Sequence, residues 1–228
     1  MIGIIGAMEV EVNELKKRLQ NPKCERISGI DFVSGTLHEK EVVIASCGVG
    51  KVFAAIAAEA MILKYSPEII VNSGVAGALS AELEVTDIVI AEDVVQHDMD
   101  TTPLGDPPGL LSGINIVNIP CSKRGAECLK KATEECGIKN KTGRIASGDV
   151  FVDSLSKKRE IAEKFFATAC EMEGASIGHV CYVNGVEFAV LRAISDSLKD
   201  GSDMEYYEFV KVAAKNSIMV MDRFVKLF

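Results

Sequence analysis

Four apolar runs that end in glycine or small polar residues constrain this chain most: IGIIGA at 2–7, EVVIAS at 41–46, EIIVNSGVAG at 68–77 and VEFAVLRAISDS at 186–197. Continuous β-branched runs of this kind suit strands buried on both faces, and the helical patterns between them suit a parallel or mixed sheet covered by helices. The spacing predicts a strand at 2–7 and then a helix through Val10, Leu15 and Leu19. Strands at 30–37 and 40–46 read as an antiparallel hairpin about His38, Glu39 and Lys40. An alanine-rich helix is expected at 51–64, and a strand from 68 that runs into a glycine-rich loop, SGVAG. Further strands are expected at 87–96, 142–147, 167–171 and 186–197, with helices at 122–137, 156–165, 174–185 and 205–228. The Asp-, Pro- and Gly-rich segment 98–113 is too long for a simple turn, and loops of that length often carry function. No repeat or low-complexity linker interrupts the pattern, so one α/β domain over residues 1–228, a three-layer α/β/α sandwich, is expected.

The formal net charge is −8, and the basic residues form only short clusters such as 16–18 and 123–124. Nucleic acid is therefore not expected as a partner. The amino terminus lacks a basic segment ahead of its short apolar run, which argues against a signal peptide or a membrane span. Seven cysteines, odd in number and without a C-x-x-C pair, read as buried, reduced thiols of a cytoplasmic protein. With only three histidines and none at ligand spacing from a cysteine, no metal is expected. His97, Asp98 and Asp100 fit a solvated loop as well as they fit a metal cluster. The G-x-x-G-A after the first strand lacks the G-x-G-x-x-G of a dinucleotide site.

Ligands of open α/β sheets bind beyond the carboxyl ends of strands, and what this chain delivers there is acidic. The first strand leads to Met8 and Glu11, the strand at 167–171 to Glu171, Met172 and Glu173, and the last strand to Arg192, Ser195 and Asp196. Singly, Glu11 and Glu173 are explained by the helix dipole, and Asp196 by a turn or cap. Three carboxylates converging on one sheet edge, with Arg192 close by, point instead to a site that handles protons.

The segments GIIGAMEVEV, SCGVGKVFAA, NSGVAGAL, SGDVFVDS, CEMEGASIGHVC and RAISDS, in that order, resemble those of the bacterial 5′-methylthioadenosine/S-adenosylhomocysteine nucleosidases across nearly the whole chain. The resemblance implies a nucleoside phosphorylase-like fold with a mixed central sheet, no cofactor, and a homodimer whose subunits complete each other's sites. It implies an adenine nucleoside as substrate and a place in methionine salvage and amino-acid biosynthesis. By resemblance, Glu11 is the base that activates water and Asp196 the acid that protonates adenine N7. Glu173 would hold the ribose hydroxyls beside the backbone of Met172. Phe151 would stack on adenine, the main chain of Val152 would meet its edge, and Gly77 would line the same pocket. Arg192 and Ser195 would orient the water and Asp196, and Met8, Val49 and Tyr206 would surround the 5′-alkylthio group. The loop carrying Leu104, where relatives commonly have Phe, would lie near the neighbouring subunit's site, and Val75 stands where some relatives have Ser.

That chemistry has its own logic. Adenine leaves best as a neutral base, which calls for a carboxylic acid kept protonated by its surroundings. The sugar develops oxocarbenium character that nearby carboxylates stabilise. The rival on this fold is a purine nucleoside phosphorylase, which surrounds phosphate with arginines where this chain has Glu11, Val49 and Val75. A carboxylate about 4 Å from an anion repels it by roughly 4 kcal/mol at an effective dielectric of ~20, which favours water as the nucleophile. A non-catalytic nucleoside-binding protein is the third reading, and the retention of all three carboxylates argues against it.

Overall fold

The computed structural model describes the backbone of residues 1–196 and 203–228 and the side chains of 1–196 and 210–228. Among the described residues, ten strands form one mixed sheet with six helices around it. Strand β1 (Ile2–Gly6) lies between the parallel strands β4 (Lys40–Ser46) and β5 (Ile69–Ala78). The hairpin of β3 (Ile30–Leu37) and β4 turns through His38 and Glu39, both at positive φ (49° and 64°), the geometry whose twist matches that of the paired strands.

Beyond β5 the sheet curls. Strand β10 (Glu187–Asp196) runs parallel to β5 and antiparallel to β6 (Ile88–Gln96), β6 pairs with β8 (Asn140–Ser147), β8 with β9 (Ala167–Glu171), and β9 returns to β5 through Gly77 and Ala78. These pairings close a ring, which draws the carboxyl ends of β5, β9 and β10 together. In β10 the register shifts between Ile194 and Asp196, a bulge at Ser195 that re-aims the side chains at the strand's end.

Two apolar clusters cover the two faces of the sheet. Helices α2 (Lys51–Tyr65) and α5 (Gly174–Asn184) bury Ala54, Ala57, Ala58 and Met61 together with Ala175, Ile177 and Cys181 on one face. On the other face α1 (Glu9–Arg18), α3 (Lys123–Glu135) and α6 (Asp203–Leu227) contribute Val12, Leu15, Leu129, Ala213 and Phe224. The expected three-layer α/β/α arrangement is therefore present. Helix α4 (Leu155–Phe165) packs Ile161 and Phe165 against Val95 and Ala146 in a smaller third cluster.

Four expectations need correction. SGVAG belongs to β5 rather than to a loop, because its residues pair with β10 through Gly77. An additional edge strand, β2 (Gln20–Ile27), pairs with β3 although it contains Pro22 and is almost wholly exposed, so it carries no apolar alternation to read. A short strand, β7 (Asn118–Pro120), pairs with the other edge of β6. Cys24 lies on β2 and is exposed, whereas Cys47, Cys121, Cys170 and Cys181 are buried as expected.

Candidate active site

One pocket opens at the closed end of the ring. Its floor and walls come from the loop after β1 (Met8, Glu11), the end of β5 (Val75, Gly77), the turn after β9 (Met172, Glu173) and the end of β10 (Arg192, Ser195, Asp196). Val49, Phe151 and Val152 form the rim. Eleven of the twelve substrate-site residues expected from sequence thus meet in one place. The twelfth, Tyr206, lies on α6 with its side chain outside the described residues.

Glu11 shows how one side chain carries two tasks. As the third residue of α1 it accepts hydrogen bonds at Oε2 from the backbone N–H groups of Ala7 and Met8, both at 2.8 Å, which satisfies donors at the helix start. Its other oxygen, Oε1, accepts the N–H of Val75 at 3.0 Å. The carboxyl is 1% exposed, and burial raises its pKa while Arg192 and the three N–H donors oppose the rise. A Cβ on Gly74 would strike Oε1 of Glu11 and Nη1 of Arg192, so the glycine here makes room for the protein's own charged groups rather than for a ligand.

Arg192 is fully enclosed at the centre of this acidic wall. Its Nη2 donates to Asn72, Glu171 and Glu173, and its Nη1 donates to the carbonyl of Val75 at 3.4 Å. Burial works against the guanidinium charge, but Glu171, Glu173 and Glu11 more than offset it. Glu171 in turn accepts from Ser147 Oγ and from the N–H groups of Glu173 and Gly174, capping α5. Glu173 accepts from the N–H of Gly50 at 2.9 Å, an approach set by the positive φ of Gly50 (101°). Burial, with Glu171 and Glu11 adding to it and Arg192 opposing, pushes the Glu173 carboxyl up to about 7. The same burial, with Glu173 and Glu11 adding, takes the nearby Cys47 thiol to about 12, so it stays neutral.

Asp196 sits in different surroundings from those expected. The carboxyl is not sealed among apolar groups: it is partly exposed, forms an ion pair with Lys158 through Oδ2, and accepts from Ser195 Oγ at 3.1 Å through Oδ1. Ser195 also reaches the carbonyl of Ala76 at 3.4 Å. Gly77 leaves space for the carboxyl, since a Cβ there would lie 3.2 Å from Oδ2. The cation on Asp196 is Lys158 and not Arg192, whose hydrogen bonds lead to Asn72, Glu171, Glu173 and the carbonyl of Val75.

Sequence reasoning passed over Lys158, Asn72, Ser147 and the capping role of Glu171. Two of these carried a signal. Asn72 is a polar residue inside the apolar run EIIVNSG, and Lys158 shares the buried stripe of α4 with Ile161 and Phe165 at helical spacing. The His97–Asp98 segment is structural: Asp98 takes Lys51 Nζ at 2.7 Å and the N–H of Asp149 at 2.8 Å. Leu104 stands on a single 3-10 turn, Thr102–Leu104, is 82% exposed and does not line the pocket of its own chain.

Comparison with known proteins fits this geometry. The phosphorylase superfamily profile matches residues 1–226. A 5′-methylthioadenosine/S-adenosylhomocysteine nucleosidase of Shewanella halifaxensis is 38% identical over 226 residues, covering 99% of this chain and 98% of the relative. The crystal structure of the Neisseria meningitidis nucleosidase of that name, in complex with methylthio-immucillin-A, superposes with a TM-score of 0.95 at 33% identity, covering 100% of this chain and 99% of that one. A futalosine hydrolase of Helicobacter pylori superposes with a TM-score of 0.94 at 34% identity, covering 100% and 97%. With full-length matches in both sequence and structure, this chain belongs to the phosphorylase superfamily and, within it, to the 5′-methylthioadenosine/S-adenosylhomocysteine nucleosidase family.

Proposed function

We propose that this protein hydrolyses the N-glycosidic bond of 5′-methylthioadenosine and S-adenosylhomocysteine, releasing adenine and the 5′-substituted ribose. The observation that carries the reading is the acidic wall: Glu11 and Glu173 bracket a guanidinium already bound to Glu171 and Asn72, with Asp196 in the same pocket. Glu11, desolvated and held above the ordinary carboxylate range, takes the proton from water as it attacks the sugar. Glu173 receives the ribose hydroxyls and, as a carboxylate, stabilises the developing positive charge. Asp196 delivers a proton to the departing base, which Phe151 and the backbone of Val152 hold at the rim. Met172 lies beside the ribose, and Met8 and Val49 border the 5′ group, to which the resemblance alone adds Tyr206.

Phosphorolysis fits less well. Arg192 is engaged by four acceptors, and phosphate placed beside Glu11 would meet its charge. The distinguishing assay measures adenine release from 5′-methylthioadenosine, S-adenosylhomocysteine, 5′-deoxyadenosine and a futalosine-type nucleoside, each with and without phosphate. Phosphate-independent release of adenine and free thio-sugar is expected. A requirement for phosphate with formation of a sugar 1-phosphate would replace this reading by the phosphorylase one, and binding without adenine release would leave a nucleoside-binding protein.

We further propose that the whole of 1–228 works as one domain and that it acts as a homodimer. Support for the dimer comes from α2 and α5, which lie side by side and expose Val52, Phe53, Ile56, Leu63, Tyr182 and Val183. A contiguous apolar surface of this kind is characteristic of a protein interface. Seven free cysteines fit a reducing, cytoplasmic setting, and among the described residues no helix is long and apolar enough to cross a membrane. The adenine and thio-sugar products fit methionine salvage.

A further inference from the structure

Lys158 is a buried cation that the reaction as drawn so far does not use. It sits on α4 in line with Ile161 and Phe165, is 3% exposed, and directs its ammonium at Oδ2 of Asp196. An ammonium taken out of water is costly unless a partner charge meets it, and an apolar side chain would anchor this stripe of α4 without that cost. A lysine here is therefore better explained by the carboxyl it meets than by the packing of the helix. With Ser195 on Oδ1 and Lys158 on Oδ2, both oxygens of Asp196 are tied and the carboxyl plane is fixed against the pocket wall beside Gly77. The neighbouring Cys170 thiol on β9 is pushed up to about 12, by burial first and then by Asp196, and so keeps its proton and brings no second charge to Asp196.

We infer that Lys158 is a positioning residue for departure of the base: its ammonium orients the Asp196 carboxyl and supplies the proton that Asp196 passes to the leaving purine. This rests on the nucleosidase reading above. The balance closes with water as the only co-reactant. The C–N bond breaks with its electron pair going to adenine, the proton held by the Lys158–Asp196 pair moves to an adenine nitrogen, and the water oxygen bonds to the sugar carbon as its proton passes to Glu11. Afterwards Glu11 releases a proton to solvent and the Lys158–Asp196 pair takes one up.

The test compares the wild-type protein with Lys158→Met and Lys158→Arg on 5′-methylthioadenosine and on its 2-chloro analogue, whose base departs more readily as an anion. Wild-type release of adenine without phosphate comes first, and its failure would sink the nucleosidase reading and this inference with it. Given that activity, Lys158→Met is expected to lower kcat on 5′-methylthioadenosine by about 10²-fold with KM changed less than about threefold. The deficit should shrink by about threefold or more on the chloro analogue, and it should persist in Lys158→Arg, whose guanidinium keeps the ion pair with Asp196 but does not give up a proton. Lys158→Gln, which still hydrogen-bonds the carboxyl but has no proton to give, provides the same reading if the methionine variant does not fold. Wild-type-like kcat, a loss confined to KM, or a deficit equal for both bases would overturn the inference while leaving the nucleosidase reading intact.

Discussion

The two halves of the pocket are built on opposite principles. The wall around Glu11, Glu171, Glu173 and Arg192 is charged, buried to within a few per cent, and tied together by backbone donors at the ends of strands and the starts of helices. The rim formed by Val49 and Phe151 is apolar and about half exposed, and it rises from loops. The difference teaches how the chemistry is divided. Groups that must hold charge in place are fixed by the sheet before substrate arrives, which is what electrostatic preorganisation requires, while surfaces that recognise base and tail by contact area are left open.

The sharpest break in this comparison comes from Glu11→Gln. Glutamine keeps the shape and one acceptor but removes the base, so kcat should fall by about 10³-fold while binding of a substrate analogue changes little. Asp196→Asn should lower activity to a similar degree. Steady-state kinetics with calorimetric binding separates the two quantities. Activity close to wild type in Glu11→Gln would mean that the buried wall is scaffolding and that the base lies elsewhere.

Glu173→Gln tests what the charged wall costs the fold. The folded state holds this carboxyl above its ordinary value of 4.5, at about 7, so the neutral form is the one the fold favours. Its stabilising contribution is complete below the unfolded value and disappears as pH rises through about 7. At ~1.4 kcal/mol per tenfold, the rise from 4.5 to about 7 corresponds to about 3 kcal/mol at pH 8. The thermal midpoint of Glu173→Gln relative to wild type should therefore climb between pH 5 and pH 8, by about 5–10 °C. Parallel midpoints across that range would show that the wall is not strained by its charge. Turnover should drop in the same variant, because the amide cannot offset the positive charge on the sugar.

On the rim, Phe151→Ala should act through binding alone. Loss of one base–aromatic stack is worth about 1–3 kcal/mol, so KM for adenine nucleosides should rise by about tenfold or more with kcat reduced far less. A loss mainly in kcat would place Phe151 with the charged wall and blur the division.

How far the sequence reveals these two halves follows from the same physics. The strands of the core were legible because burial on both faces leaves uninterrupted β-branched runs, and Glu11, Glu173 and Asp196 stood out as polar residues where such runs end. Strand β2 was not legible, since an exposed edge strand holding Pro22 is stabilised by pairing with β3 and carries little apolar pattern. SGVAG looked like a loop because glycines favour loops locally, whereas in β5 Gly74 and Gly77 are needed to clear space for Glu11, Arg192 and Asp196. Ring closure through β9 and β5, and the bulge at Ser195, depend on pairings between distant segments that no local window contains. Lys158 was missed for a related reason: its partner lies 38 residues away on another element.

The smallest expected effect is also the one that tests the rim most selectively. Leu104 is 82% exposed and does not line its own pocket, so within a single chain its truncation should be silent. In the proposed dimer it would cover the 5′ group bound by the partner, and burying part of a leucine against a thioalkyl tail is worth about 1 kcal/mol. Leu104→Ala should then raise KM for 5′-methylthioadenosine by roughly fivefold and leave KM for 5′-deoxyadenosine, which lacks the thioether, nearly unchanged. The contrast between the two substrates matters more than either value, because a general loosening of the loop would weaken both alike. Equal KM values for wild type and Leu104→Ala on both nucleosides, in a protein that sediments as a dimer, would remove the 98–113 loop from the site and leave Met8, Val49 and Tyr206 as the only proposed walls of the 5′ pocket.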